Sequence, residues 1–223
     1  MRGSTPDKLA AGGRIARHVH RLPYATIVLE GAYEEAGDAG RIAARAGDVL
    51  LHTAFAAHQD RIGAQPAWVL DLPLPGDGCE LPAVAKISDP ELFVRLARRD
   101  AREAAAGLVQ AMVESGEQAI DPVDDLAAAL RSASPPRIGD WARHRGRSRE
   151  SLTRRFGSLY GTSPAAYRLE ALARHAWRRI VSTGDSLADI ACDTGFADQP
   201  HMTRAVVRLT GHTPGEWRKR PAG

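Results

Sequence analysis

The sequence predicts an α+β chain: a small β-barrel or sandwich at the N-terminal end, connecting helices, and an all-α C-terminal domain with two helix-turn-helix motifs. Three observations predict it. From Ile15 to about Leu74, short β-branched and aliphatic runs are separated by Gly, Asp and Pro, the pattern of many short strands. From about Asp89 the apolar residues fall at helical spacings instead. Residues 151–168 and 201–218 then align without a gap at an offset of 50, an internal repeat. A chain of 223 residues holds two modest domains, because single cores mostly serve about 100–150 residues. The expected division is 1–86, a strand-rich domain; 87–135, a helical linker or dimerisation region; and 136–223, the all-α domain.

The strand candidates are Ala25 to Leu29 (ATIVL), Ile42 to Ala46, Val49 to His52 and Trp68 to Leu72, each bounded by turn residues. Pro73, Pro75, Gly76, Asp77 and Gly78 break that pattern. The stretch DPELFVRLARRDAREAAAGLVQAMVESG sets Leu92, Leu96, Leu108 and Met112 at helical spacings. A second helix, Val123 to Leu130, follows Asp121 and Pro122, a cap and first-turn pair. The apolar stripe of these helices suits either a second subunit, in a homodimer, or the chain's own strands. SASPPR, Ser132 to Arg137, reads as a hinge. Beyond it the chain reads as seven short helices. Their starts are marked by Ser163 before Pro164 and Thr213 before Pro214, and by capping-box spacing in Thr213 with Glu216 and Ser186 with Asp189.

The net charge of +3 conceals two halves of opposite sign. Residues 1–136 hold 14 Lys and Arg against 19 Asp and Glu, or −5, and residues 137–223 hold 16 against 8, or +8. The second half is the polyanion-binding candidate. The two cysteines, Cys79 and Cys192, fall one in each half, which suggests no disulfide framework and fits a reducing compartment. Cys192 reads as a small packed hydrophobe rather than a reactive thiol. The N-terminal MRGSTPDKLAAGG lacks the apolar core of a signal peptide. No stretch approaches the roughly 20 apolar residues of a membrane span. A cytoplasmic location, away from membranes, is expected.

The repeat carries the most information. SLTRRFGSLYGTSPAAYR and HMTRAVVRLTGHTPGEWR pair Leu152 with Met202, Thr153 with Thr203, Arg154 with Arg204, Phe156 with Val206, Gly161 with Gly211, Pro164 with Pro214 and Tyr167 with Trp217. Upstream, Trp141, Ala142 and Gly146 match Ile190, Ala191 and Gly195 at an offset of 49, so the second turn is longer by one residue. Small residues at 142 and 191 let one helix cross closely over another, and the glycines supply the turn. The following helix is apolar on one side and polar on the other. Such a polar face suits a major groove, although a solvated basic bundle has the same composition.

SLADIACDTGFADQPHMTRAVVRLTGHTPGEWR resembles the signature of the AraC/XylS family of transcription regulators, over about the last 90 residues. The resemblance implies two helix-turn-helix units joined by a long helix, about Pro164 to Ser182, binding double-stranded promoter DNA in successive major-groove segments. RNA polymerase is a further partner of such regulators. Val206, where the family usually has Phe, and Pro200 near the start of the second reading helix are departures. In this frame Arg154 and Arg204 become candidates for bidentate contact with guanine, with phosphate anchoring as their alternative. Arg149, Glu150, Gln199 and His201 lie near the helix N-termini and set sequence preference. Thr153, Thr203, Arg147 and Arg208 face phosphates. No catalytic step is implied.

In the N-terminal half, Gly12, His18, His20 and Gly31 have the spacing of the first motif of the cupin superfamily, with Tyr24 in the place of its Glu. Gly47 and His58 match the second motif, in which Thr53, Phe55 and Ile62 replace Pro, Gly and Asn. This partial resemblance implies a small cupin-like β-barrel that senses a small-molecule effector. His18 and His20, two apart, share one strand face. With His58 they form a candidate set for a divalent transition metal such as zinc, Tyr24 being a weak fourth ligand and His52 a less favoured substitute. The alternative is that the three imidazoles are polar groups of a ligand pocket.

Overall fold

The computed structural model describes residues 5–76, 81–114, 122–132 and 135–220. The chain divides into two units, 1–119 and 120–223. Asp77, Gly78, Cys79, Asp121, Ala133 and Ser134, all within readings given above, lie outside the described residues.

The first unit holds β1 (Asp7–Leu9), β2 (Arg14–Val19), β3 (Tyr24–Glu30), β4 (Ala32–Gly37), β5 (Gly40–Arg45), β6 (Asp48–His52), β7 (Ala57–Ile62), β8 (Ala67–Pro73), β9 (Val84–Lys86) and β10 (Val113–Glu114), with α1 (Pro90–Ala97) and α2 (Ala101–Ala111). The strands pair antiparallel in two sheets, β1-β8-β3-β6-β9-β10 and β2-β7-β4-β5. Among the described residues no ladder joins the two sheets, so the expected barrel is an unclosed sandwich.

Side-chain alternation decides what each face of the larger sheet meets. Ala25 and Ile27 of β3, Val49 and Leu51 of β6, and Leu70 and Leu72 of β8 join Phe93, Val94, Ala97, Ala104, Ala105 and Leu108 of α1 and α2 in one core. The opposite phase, Val28, Leu50 and Val69, meets Tyr33, Ile42, Ala44 and Ile62 of the smaller sheet in a second core. Strands covered on both faces have no polar phase, which is why ATIVL and VLL read as continuous apolar runs. Each fully buried Leu or Ile here contributes on the order of 2 kcal/mol.

The apolar stripe weighed for dimerisation is thus covered by the chain's own sheet. Its segment is two helices rather than one. Asp100 caps α2 by accepting from the Arg102 and Glu103 amides at 2.7 and 3.1 Å, and Asp89 caps α1 through the Leu92 amide at 3.0 Å. Leu92 faces outward. The stretch 87–135 is divided, with α1 and α2 in the first unit and the next helix in the second.

The second unit is α3 (Pro122–Leu130), α4 (Ile138–His144), α5 (Arg149–Tyr160), α6 (Pro164–Ser182), α7 (Leu187–Asp193), α8 (Gln199–Thr210) and α9 (Pro214–Arg218). Six helices follow the hinge instead of the expected seven, and the long helix expected from about Pro164 to Ser182 is α6, unbroken for 19 residues. The capping oxygens sit where the sequence puts them. Ser163 Oγ accepts from the Ala166 amide at 3.2 Å, and Thr213 and Glu216 form a reciprocal capping box. Ser186 accepts from the Asp189 amide. The shorter Asp189 bonds the Ser186 hydroxyl rather than reaching the backbone.

Candidate functional site

The repeat in the sequence is a repeat in the structure. Helices α5 and α8 are each 12 residues long, and their burial matches nearly position by position. Leu152, Phe156 and Tyr160 are buried, as are Met202, Val206 and Thr210, while Arg154 and Arg204 are exposed. Each helix is entered through a left-handed glycine, Gly146 at φ +62° and Gly195 at φ +84°, a conformation in which a Cβ is strained. Ala142 and Ala191 lie buried just upstream and accept equivalent bonds, from the Arg147 amide at 3.0 Å and the Phe196 amide at 2.9 Å. The second turn's extra residue therefore falls after Phe196, before the cap Asp198. Caps close both N-termini: Ser148 accepts from the Ser151 amide at 3.1 Å and Asp198 from the His201 amide at 2.6 Å.

Helix α6 is the spine of both repeats. Its Tyr167 lies 5.4 Å, ring to ring, from both Phe156 and Tyr160. Further along, Ala173, Ala176 and Ile180 share a core with Ile190, Ala191, Met202 and Val206. Arg179 ties its C-terminal end to Asp185 and, at 2.8 Å, to Asp193.

Not all the arginines of this unit are available to a ligand. Arg143 pairs with Asp140 at 3.2 Å, and Arg145 lies 3.8 Å over the Trp141 ring and pairs with Asp125 at 3.5 Å. Arg147, Arg149, Arg154, Arg204 and Arg208 are exposed and make no ion pair among the described residues. Five uncompensated guanidiniums on or beside two short helices form a surface for a polyanion. Arg137, Arg149 and Arg168 also line a cavity of about 450 Å³ with Leu130, Pro136 and Pro164, wide enough for a phosphate group. Glu150 and Gln199 are exposed, and Thr153 and Thr203 half-buried. His201 sets its ring edge-on to Phe196 at 5.2 Å. Cys192, expected to be packed, is exposed, because α7 turns Ile190 and Ala191 inward instead.

In the first unit, the histidines converge between the sheets. His18 on β2 is register partner of His58 on β7, and their rings lie 4.4 Å apart. His20 lies 4.6 Å from His18 and 5.2 Å from His58. One donor atom from each of His18, His20 and His58 falls within 4.8 Å of the others, so the three expected residues fit a metal as a set. From the larger sheet come Tyr24, whose hydroxyl meets His58 Nε2 at 3.0 Å, and His52, stacked on the Tyr24 ring at 4.3 Å. Phe55 has φ +60° where the cupin pattern has Gly, a strain of about 1–2 kcal/mol. Its amide donates to the His20 carbonyl at 2.8 Å and fixes the turn beside the cluster.

Glu35 on β4 completes the group from the opposite side. It is buried, with Oε2 at 3.1 Å from His58 Nδ1 and 3.6 Å from His52 Nε2. Asp60 accepts from His58 Nδ1 at 3.0 Å. Burial opposes charge on His58, but the Glu35 carboxylate beside it and the hydrogen bond to Asp60 outweigh it and push the ring up to about 10. Burial, aided by His58 and His18, lowers His20 to about 4, and it holds His52 well below the usual range. Glu35 is raised by its own burial despite His58.

Residues 141–220 match a family model described as a helix-turn-helix domain. The transcriptional regulator ExsA of Pseudomonas aeruginosa is 31% identical over 83 residues, 37% of this chain and 30% of that protein. The virulence regulon activator VirF of Yersinia enterocolitica is 30% identical over 82 residues, again 37% of this chain and 30% of that protein. The C-terminal unit is similar to the helix-turn-helix domains of AraC-type transcription regulators. Among solved structures, an AraC-type regulator from Chromobacterium violaceum has 27% identity, covering 44% of this chain and 88% of that one at a TM-score of 0.40. The DNA-binding domain of AdpA, solved with a target DNA, has 25% identity, covering 47% of this chain and all of that one at 0.42. The chain spans about a third of the length of the curated relatives it matches.

The AraC-type unit places all ten expected contact residues on α5, on α8 or in the turn before α5, with Arg147 alone in that turn. Sequence reasoning did not single out Glu35 and set His52 behind His18, His20 and His58; the structure places both beside His58. Both had a signal: in AYEEAG, Glu35 shares the phase of the buried Tyr33, and in DVLLH, His52 shares that of Leu50. No helix among the described residues is long and apolar enough to cross a membrane.

Proposed function

We propose that this chain is a sequence-specific DNA-binding transcriptional regulator of the AraC/XylS type, controlled by a small ligand or a divalent transition metal at His18, His20 and His58. The observation that carries the reading is the paired exposure of Arg154 and Arg204 on two equivalent, capped helices joined by α6. At about 1.5 Å per residue, the 19 residues of α6 span roughly 28 Å. One duplex turn is about 34 Å, so one monomer offers its two helices to successive major-groove segments.

In this reading Arg154 and Arg204 fork onto guanine edges, and Arg149, Glu150, Gln199 and His201 set preference at neighbouring bases. Arg147, Arg208, Thr153 and Thr203 grip phosphates, which fix the register of the protein on the duplex. The chain acts in the cytoplasm, where its further partners are RNA polymerase, the effector and a second copy of itself. It needs no catalytic step.

The test is to map bound sites across the genome and measure binding of the full chain to the best of them. Arg204→Ala should weaken that binding by about 1–3 kcal/mol and relax preference at one base position. An equal loss on every sequence would move Arg204 to a phosphate. Unrelated DNA competing as well as the mapped site would overturn specific regulation.

A further inference from the structure

We propose that Glu35, His52 and His58 form a binding site for one divalent transition-metal ion of the zinc class, buried between the two sheets and separate from the His18 and His20 pair. The inference rests on reading the sheet unit as the sensing part, and it changes which residues do the sensing.

Donor spacing is the first support. Glu35 Oε2 stands 3.1 Å from His58 Nδ1 and 3.6 Å from His52 Nε2, and one donor atom from each residue lies within 4.8 Å of the others. Nitrogen and oxygen ligands about 2.0–2.1 Å from a tetrahedral ion stand about 3.3 Å from one another. Glu35 is therefore close to ligand spacing from both histidines already.

The second support is burial without hydrogen-bond satisfaction. All three residues are at most 5% exposed. Neither Glu35 Oε2 nor His52 Nε2 makes a hydrogen bond among the described residues; their approaches to each other and to His58 lack hydrogen-bond geometry. Native proteins leave few buried polar atoms in that condition, and an ion is one of the standard explanations. Two imidazoles and one carboxylate are a donor set that first-row divalent ions accept.

The surroundings supply the third support. Each donor sits on a strand: Glu35 in the middle of β4, paired with Ile42 of β5 and Asp60 of β7, and His52 at the end of β6, opposite Tyr24. The Tyr24 ring stacks on His52 while its hydroxyl meets the far nitrogen of His58, Nε2. An outer partner on the second ring nitrogen is what fixes a ligating imidazole in tautomer and orientation. Binding at Nδ1 displaces its proton, and Asp60 Oδ1, 3.0 Å away, is the nearby carboxylate. Metal uptake by this site accordingly releases protons. Tyr24, which stands where the cupin pattern has a ligating Glu, acts here as that outer partner. Glu35, from another strand, supplies the carboxylate.

The experiment uses the full chain, stripped with chelator and titrated with Co²⁺ and then Zn²⁺. The wild type should take up one ion per chain with the visible ligand-field bands of low-coordinate Co²⁺. Glu35→Gln and His52→Ala should each weaken Zn²⁺ binding by about 100-fold or more, since loss of even an outer partner costs about 10–100-fold. The double variant His18→Ala with His20→Ala should change it by less than about tenfold. Folding is checked by thermal unfolding of the metal-free proteins. Glu35→Gln removes the carboxylate that faces His58 and should lower the Tm of the metal-free protein without abolishing its cooperative unfolding, with Zn²⁺ raising the Tm of wild type but not of the variant. If the His18 and His20 variant abolishes binding and Glu35→Gln does not, the inference is overturned while metal sensing by the sheet unit stands. If the wild type binds no ion, both metal readings fall. Binding to the mapped DNA site, measured in each variant, reports separately on the regulator itself.

Discussion

The two helix-turn-helix repeats of the C-terminal unit share a backbone plan and differ in how each is closed. In the first, Tyr160 donates its hydroxyl to Asp124 of α3 at 2.7 Å, a buried bond to a residue outside the repeat. In the second, the equivalent residue is Thr210, which accepts from Trp217 Nε1 at 2.8 Å and donates to the Val206 carbonyl, both within the repeat. The first core stacks Phe156 on Tyr160 at 4.5 Å. The second has the smaller Val206 in the equivalent place and draws Phe196 inward from its longer turn. At this position α5 thus leans on α3, whereas α8 bonds within its own repeat. A repeat can conserve the exposed face of a helix while its support is drawn from different parts of the chain.

The largest expected effect separates the two cores. Phe156→Ala should destabilise the unit by about 3–5 kcal/mol and Val206→Ala by about 2 kcal/mol in urea unfolding. Equal losses would mean that the second repeat has made up the missing volume with residues such as Phe196. Next comes the outside support. Tyr160→Phe should cost about 1–3 kcal/mol, as expected for a hydrogen bond onto a buried carboxylate, and should speed amide exchange in α3 more than in α8. Unchanged exchange in α3 would break the distinction between a helix held by α3 and one bonded within its own repeat. The smallest effect concerns the caps, in which the repeats agree. Ser148→Ala and Asp198→Ala should each cost about 1 kcal/mol, and a large difference between them would show that the longer second turn loads its cap differently.

Most of the C-terminal unit was legible in the residues themselves. Caps, glycine turns and a repeat at constant offset are local signals, and Ser148, Gly146, Ser163 and Thr213 act within a few residues of where they stand. The helix pair α1 and α2 was legible as amphipathic, but not what would cover it, since an apolar stripe has the same period against a sheet or a second chain. Glu35 escaped for a related reason. Strand phase places a side chain on a face, but only the pairing of β4 with β7 brings it beside His58. The departure of Tyr24 from the cupin pattern left that carboxylate position unfilled, and only the sheet topology shows which buried carboxylate, Glu35, stands beside His58.

One property of α6 reaches beyond this molecule. Its 19 residues pack into the cores of both repeats, so they behave as a single rigid gauge. Adding one residue to such a helix rotates everything after it by about 100° and advances it by about 1.5 Å. Its outer face is therefore free to drift by substitution, while insertions and deletions within it are barred. Substitutions on the exposed faces of α5 and α8 leave the interval between those helices untouched, whereas any change in the length of α6 resets it.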